Sequence, residues 1–432
     1  MSFVLKSAAD FVNVKGKDLQ TRCEPYARYV DDRRNIATWP YHRALTGTVG
    51  PKIDALDDSG HLLAKCTNYA SQDYLGLAQD PRVHQAAKEA INAHGVHSSG
   101  SPILLGRHKP MMELENRLCD LFKRERCVLY PSGWAAGFGV IAGLVRQKDV
   151  IIIDQLAHNC LFAGSAITNN VHRFRHNDLG HVEELLNQTR MNHPDSGIFV
   201  VIESLYSMDA DGPDLTAMIR LAHHYDAIVI IDIAHDFGAM GEFGLGLLET
   251  VNYAEEPDVI MGSFSKTFAS NGGFVMCTRE VYEYLGTYSH PRIFSNAFSP
   301  VQAAAVLAAV DIVFSPEGAV LRSKLMDNIL ALRQSMGEYG IRVSGNPSPI
   351  VPAFVGDETL ARVTSGLLTQ RGLLANLVEY PAVPVGTARF RFQVMPTHSA
   401  EDAKTAARVL SEAMKAASGM ILETSAVPLM AI

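Results

Sequence analysis

Short runs of branched apolar residues, each ending in a residue that carries chemistry, constrain this chain more than any other feature. Asp258-Val259-Ile260-Met261 leads through Gly262 to Ser263-Phe264-Ser265-Lys266, and Ala227-Ile228-Val229-Ile230-Ile231 ends in Asp232-Ile233-Ala234-His235. Runs this short and this apolar read as buried strands. Further strands are expected at 127–130, 150–154, 197–203 and 273–277. They alternate with helical stretches such as 81–93, where Asp80 is placed to cap and Pro81 suits the first helical position, and 110–122. That alternation predicts an α/β fold with a mostly parallel sheet.

After residue 300 the pattern changes. Helical periodicity covers 301–314 and 317–338, followed by a strand at 350–354 and a helix from 357. A strand at 389–394 alternates polar and apolar residues as a half-buried strand does. Ser399-Ala400-Glu401-Asp402 reads as a capping box with an acidic variation, opening a last helix. The chain is thus expected to comprise an N-terminal arm (1–60), a large domain (61–300) and a smaller C-terminal α+β domain (301–432). Residues 1–60 are polar and irregular, read as an arm or a helix with a short β-segment.

Several function classes fall away on composition. With 432 residues, 47% hydrophobic and 19% charged, the chain can bury a large core. A formal charge of -8 without a basic run argues against a nucleic-acid surface. No stretch of 18 apolar residues suggests a membrane span, and the start, Met1-Ser2-Phe3-Val4-Leu5-Lys6, lacks a signal-type block. Six scattered cysteines without a CxxC pair read as reduced thiols of a cytoplasmic protein. The histidines, His223-His224 among them, lack metal-ligand spacing, so no metal is expected; that pair suits the polar face of a helix.

The strand ends carry the functional reading. In an α/β sheet, ligands collect at the carboxyl ends of parallel strands, so Asp232 and Lys266 would face one crevice. A lysine there is costly unless paired, neutral or covalently used. Taken singly, each residue has a plain role: Lys266 as a solvated loop residue, Asp232 as a cap, His235 as a satisfied core histidine. Together they are the parts that hold pyridoxal 5'-phosphate (PLP). Lys266 would form the Schiff base, Asp232 would pair with the pyridinium nitrogen, and His235 would sit by the ring or its phenolic oxygen. A carboxylate beside that nitrogen favours its protonated form by roughly 1–3 pKa units, about 1.4–4 kcal/mol. Ser132 and Gly133, between a strand and a helix, offer a hydroxyl and amides to a phosphate, with a plain cap as the other reading. His158 could stack on the ring or serve as a cap or core residue, and Ser207 could reach the ring oxygen.

These stretches also resemble a known family. Asn68-Tyr69-Ala70-Ser71-Gln72-Asp73-Tyr74-Leu75-Gly76-Leu77, Ser132-Gly133-Trp134, Arg175-His176-Asn177-Asp178 and Ser207-Met208-Asp209-Ala210-Asp211-Gly212 recur in order. So do Asp232-Ile233-Ala234-His235, Ser263-Phe264-Ser265-Lys266, Phe294-Ser295-Asn296-Ala297-Phe298-Ser299-Pro300 and the arginine strand at 389–391. Over about 60–415 the chain resembles the α-oxoamine synthases, fold-type I PLP enzymes that include 8-amino-7-oxononanoate synthase, 2-amino-3-ketobutyrate CoA ligase, 5-aminolevulinate synthase and serine palmitoyltransferase.

The resemblance implies a large domain with a seven-stranded, mostly parallel sheet. It places Lys266 in the Schiff base, Asp232 at the ring nitrogen, His235 and Ser207 near the ring oxygen and His158 on the ring face. Ser132, Gly133, Trp134 and Ser263 would surround the cofactor and its phosphate. Arg391, with Arg389 as the second choice, would hold the amino-acid carboxylate as a bidentate fork. It also implies a homodimer with shared sites, in which Ser295 and Asn296 reach the partner's phosphate and Gln72 and Tyr74 lie near the dimer cleft.

The implied activity is condensation of an amino acid with an acyl thioester, on CoA or a carrier protein, with loss of carbon dioxide to give an α-aminoketone. Another fold-type I reaction (an aminotransferase or a carbon–carbon lyase) and a non-catalytic synthase subunit are the alternatives. Ile233 stands where the family is usually acidic, Asp236 where it is small, Trp134 where Tyr or Phe is commoner, and Gly137 where asparagine is frequent. Gln72 replaces a common asparagine, and Pro102 an arginine of several members. These departures suit a member of a lipid or specialised-metabolite pathway.

Overall fold

The computed structural model describes residues 6–57, 60–251 and 256–426. The first five residues of the expected non-signal start lie outside them. In chain order the strands are β1 (Ala44–Thr46), β2 (Lys52–Leu56), β3 (Leu62–Tyr69), β4 (Arg126–Tyr130), β5 (Val150–Asp154), β6 (Val171–Phe174) and β7 (Ile198–Glu203). There follow β8 (Ile228–Asp232), β9 (Val259–Ser263), β10 (Gly273–Cys277), β11 (Ile350–Gly356), β12 (Leu373–Val378) and β13 (Ala388–Gln393).

Two compact units share these strands. The larger comprises Gln72–Ser207 and Asp211–Ser323; the smaller comprises the chain up to Ser71, Met208–Ala210 and the chain from Lys324. The boundary expected at 300 therefore falls inside the helix Pro316–Glu338. The physical reason is that Pro300–Val313 packs on the helices Pro81–His94 and Lys109–Phe122 of the larger unit. Residues 61–71 likewise go with the smaller unit, because β3 pairs with β2 and β12.

The larger unit holds the seven-stranded sheet, ordered β4-β10-β9-β8-β7-β5-β6. The pairs β6/β5, β5/β7, β7/β8 and β8/β9 are parallel, whereas β10 runs antiparallel to β9 and β4. Its central strands are buried on both faces, which is why they read as unbroken Val/Ile runs. Val128, Ile151, Ile153, Val201, Ile230, Met261 and Val275 form one core with Val140 and Ile141 of the helix Gly133–Leu144. The carboxyl ends of β5, β7, β8 and β9 deliver Asp154, Glu203, Asp232 and the turn carrying Lys266.

The smaller unit holds a six-stranded sheet, ordered β1-β2-β3-β12-β13-β11, in which only β3/β12 is parallel. The expected alternation at 389–394 is not that of a half-buried strand, since β13 is buried on both faces apart from a half-buried Arg391. The last helix, Ala400–Ala426, opens with the expected box. The Asp402 N–H donates to Ser399 Oγ (3.1 Å) and the Ser399 N–H to the Asp402 carboxylate (3.0 Å). At the end of Leu215–His224, His223 faces Asp258 at 3.0 Å, the polar-face role expected of it. Among the described residues, no single helix is long and apolar enough to cross a membrane.

Candidate active site

The larger unit gathers the predicted cofactor residues at one edge of its sheet. Asp232 ends β8 and is 6% exposed, with its carboxylate accepting the Ala234 N–H at 2.8 Å. Burial pushes this carboxyl above its ordinary range, while Lys266 and His158 act in the opposite sense, which puts both within electrostatic reach of it. Lys266 is half-buried in the turn after β9. Its neighbour Thr267 anchors that turn by donating to the Phe237 carbonyl at 2.9 Å.

His158 projects from the turn after β5 and is exposed, as a ring meant to lie on a ligand must be. It caps the short helix Asn159–Ser165, with Nδ1 accepting the Cys160 N–H at 3.3 Å and standing 3.0 Å from Cys160 Sγ. Cys160 occupies space that an added Cβ at Gly137 would need, at 2.4 Å from the sulfur. The asparagine frequent in the family at Gly137 has no room beside this cysteine. His235 is buried, and its Nδ1 meets the Tyr74 hydroxyl at 2.8 Å. Tyr74 is itself fully enclosed, so within this chain it orients His235 and has no open face toward a cleft. Gln72 is half-buried two residues earlier.

Ser132, Gly133, Ser263 and Ser265 form a small polar cup. Ser132 caps the helix Gly133–Leu144, its Oγ accepting the Ala135 N–H at 3.1 Å, and Ser132 bridges Gly272 across the sheet edge. Ser263 Oγ lies 2.7 Å from Ser265 Oγ. A Cβ at Gly133 would stand 2.4 Å from Ser263 Oγ, so only glycine lets this helix start come so close. A helix N-terminus with hydroxyls on two sides suits a phosphate. Trp134 is 47% exposed and stacks on Phe138, with ring centroids 5.3 Å apart. Ser207 is half-buried in the segment after β7. Ser295 donates to the Pro291 carbonyl, and exposed Asn296 meets His97 at 3.2 Å.

The amine, the acid at the next strand end, the exposed imidazole and the cup fit PLP. Lys266 would anchor the aldehyde, Asp232 would face the ring nitrogen and the cup would take the phosphate.

The departures from the family also find structural reasons. Asp236, where a small residue is usual, is fully buried; it accepts the Ser204 hydroxyl and the Leu247 N–H, each at 2.7 Å, and burial pushes it up to about 7. Ile233 is buried and lies near Gly262, so an acid there would have to be accommodated in the core.

In the smaller unit Arg389, the second choice for a substrate carboxylate, proves to be committed elsewhere. It is 3% exposed, pairs with Asp209, donates to the Met208 carbonyl at 3.2 Å and lies 4.3 Å over the Phe354 ring. That is a buried structural pair. Arg391 sits two residues on, half-buried and paired in register with Asn376 and Pro352. A cavity of about 650 Å³ also lies in this unit, walled by Tyr26, Trp39, Tyr41 and Arg43 among others. Among the described residues its lining holds no lysine or carboxylate, and the chemistry belongs at the strand ends despite its volume.

Sequence reasoning missed two groups at the site. Glu203 ends β7 directly beside Asp232, and Cys160 backs His158. The signal for Glu203 was present, since a carboxylate ended a third apolar strand.

His176 of the Arg-His-Asn-Asp stretch bridges Asp154 (2.9 Å) and Asp211 (3.1 Å). Burial opposes its charge, but the hydrogen bonds to Asp154 and Asp211 outweigh it and push the imidazole from 6.5 up to about 10. A group raised on folding stabilises fully below its unfolded pKa and loses that contribution as pH rises through the folded one. The melting temperature is therefore expected to fall between about pH 6.5 and pH 10. The fall should be smaller in His176→Gln, and equal falls in the two proteins would contradict this.

Residues 64–410 match the model of the class I and II aminotransferase family. Fold and site thus define a PLP-dependent transferase of fold type I. The chain is 32% identical to the 8-amino-7-oxononanoate synthase of Geobacter sulfurreducens, over 85% of this chain and 92% of that protein. Among solved structures it is similar to the serine palmitoyltransferase of Sphingomonas wittichii (TM-score 0.85, 25% identity, 93% of this chain and 99% of that one). It matches equally a structure of SPT with PLP internal aldimine (TM-score 0.85, 25% identity, 93% and 100%). The chain belongs to the α-oxoamine synthase family, and its cofactor is PLP.

Proposed function

We propose that this protein condenses an amino acid with an acyl thioester, with loss of carbon dioxide, to give an α-aminoketone. The observation that carries the reading is the gathering of Lys266, Asp232 and His158 at the carboxyl ends of β9, β8 and β5, within electrostatic reach of one another at Asp232, in a chain of this family. PLP, when bound, supplies an electron sink for negative charge at the substrate α-carbon.

The chain's own groups supply the rest. Lys266 would hold the cofactor covalently and, when free, would serve as the base at the substrate α-carbon. Asp232 would keep the ring nitrogen protonated. His158 would lie against the ring. His235, oriented by Tyr74, and Ser207 attend the ring oxygen. Arg391 takes the amino-acid carboxylate as a fork.

We further propose a cytoplasmic homodimer with shared sites. The exposed run Ile103, Leu104 and Leu105 and the exposed Phe294 and Trp134 supply apolar surface for a second copy. Ser295 and Asn296 would then serve the partner's phosphate, and Gln72 the cleft. A specialised-metabolite or lipid pathway fits the departures at Ile233, Asp236 and Gly137.

The test is to incubate the holoenzyme with single amino acids and a series of acyl-CoA and acyl-carrier-protein thioesters. Release of free thiol in step with an aminoketone is expected. Conversion of the amino acid to its keto acid without thiol release would support an aminotransferase instead.

A further inference from the structure

Glu203 and Asp232 are paired in register at the ends of two neighbouring parallel strands, β7 and β8, whose axes lie about 4.8 Å apart. Both are buried, Glu203 to 3% exposure. The groups acting on Glu203 are Asp232 on β8, Asp154 at the end of β5, Lys266 after β9 and the backbone N–H of His158, which donates to its carboxyl. Its own N–H donates to the Tyr206 hydroxyl at 3.2 Å. Asp232 lies within electrostatic reach of Lys266 and His158 and accepts the Ala234 N–H.

Two buried carboxyls one strand apart, beside one ammonium, do not both stay ionised. Lys266 favours the charged form of both, but Asp232 also has the His158 imidazole on its side, whereas Glu203 has Asp232 and Asp154 against it. Burial and then Asp232 push the Glu203 carboxyl well above its ordinary range, in keeping with that imbalance.

We propose that Glu203 is a neutral, proton-bearing positioning residue: it holds the His158 turn by its backbone N–H and leaves Asp232 as the only one of the two acids to present a charge to the cofactor ring. This rests on the reading of Asp232 as the partner of the ring nitrogen. It assigns Glu203 no contact with substrate; its effect passes through His158 and Asp232. An ionised Glu203 would add a second negative charge at the ring and change how tightly its proton is held.

The experiment compares the holoenzyme with Glu203→Gln and Glu203→Ala, reading the pH midpoint of the visible cofactor band and the affinity for added PLP. Glutamine matches a protonated glutamate in shape and charge. The midpoint in Glu203→Gln is expected within about half a pH unit of wild type, with PLP affinity retained. A larger displacement, as loss of a charge one strand away would give (about one unit or more), overturns the proposal. So does failure of Glu203→Gln to fold. Glu203→Ala, checked for folding by circular dichroism, is expected to bind PLP severalfold more weakly, and unchanged affinity would overturn the positioning role. A wild-type protein with no visible band would instead defeat the assignment of the cofactor to this site.

Discussion

Substituting Lys266 by alanine abolishes both the visible band of the bound cofactor and turnover. The expectation follows from position. Lys266 lies in a turn fixed by the Thr267–Phe237 hydrogen bond and is near enough to Asp232 and Glu203 for its charge to work against the rise that burial imposes on both carboxyls. An amine so placed contributes the covalent bond to the cofactor and also the proton transfer at the α-carbon, so its loss removes two functions at once. Truncation of a half-buried side chain at a turn should leave the fold in place, which far-UV circular dichroism checks. A Lys266→Ala protein that kept its band and its rate would show that another amine does this work.

Asp232→Asn has the second largest expected effect and a different signature. Lys266 remains, so cofactor binding and a visible band are retained. What is lost is the anion that keeps the ring nitrogen protonated, a preference of roughly 1–3 pKa units, or about 1.4–4 kcal/mol. If all of it acts on the chemical step, kcat falls about ten- to thousandfold. KM should move little, because the substrate carboxylate is assigned to Arg391. A variant in which KM rises and kcat holds would place Asp232 in substrate binding instead.

The residues that carry these predictions were legible in the sequence for a physical reason. A strand buried on both faces must be apolar along its length, so the first polar residue after it marks the strand end, where ligands gather. Asp232 announces itself in this way, Lys266 follows in the turn just past the Ser263 end of β9, and β5 and β8 were expected with the bounds they have. β6 gave no such signal, since only Phe174 of its four residues is buried.

Long-range pairings were illegible. The parallel pairing of β3 with β12 joins Thr67 to Leu373, and Arg389 finds Asp209 across 180 positions of chain. Nothing local to Arg389 distinguishes it from Arg391, so periodicity alone made both look like candidates for a substrate. The register of β7 against β8, which sets Glu203 beside Asp232, is equally non-local. The fit of Cys160 into the space left at Gly137 shows the same limit: the glycine is unremarkable until the cysteine is seen against it.

The most direct test of the whole account is to reduce the holoenzyme with borohydride, digest it and map the pyridoxyl group by mass spectrometry. A single modified peptide carrying the group on Lys266 is predicted. Modification of a different lysine, or of none, would contradict the assignment of the cofactor to the ends of β8 and β9.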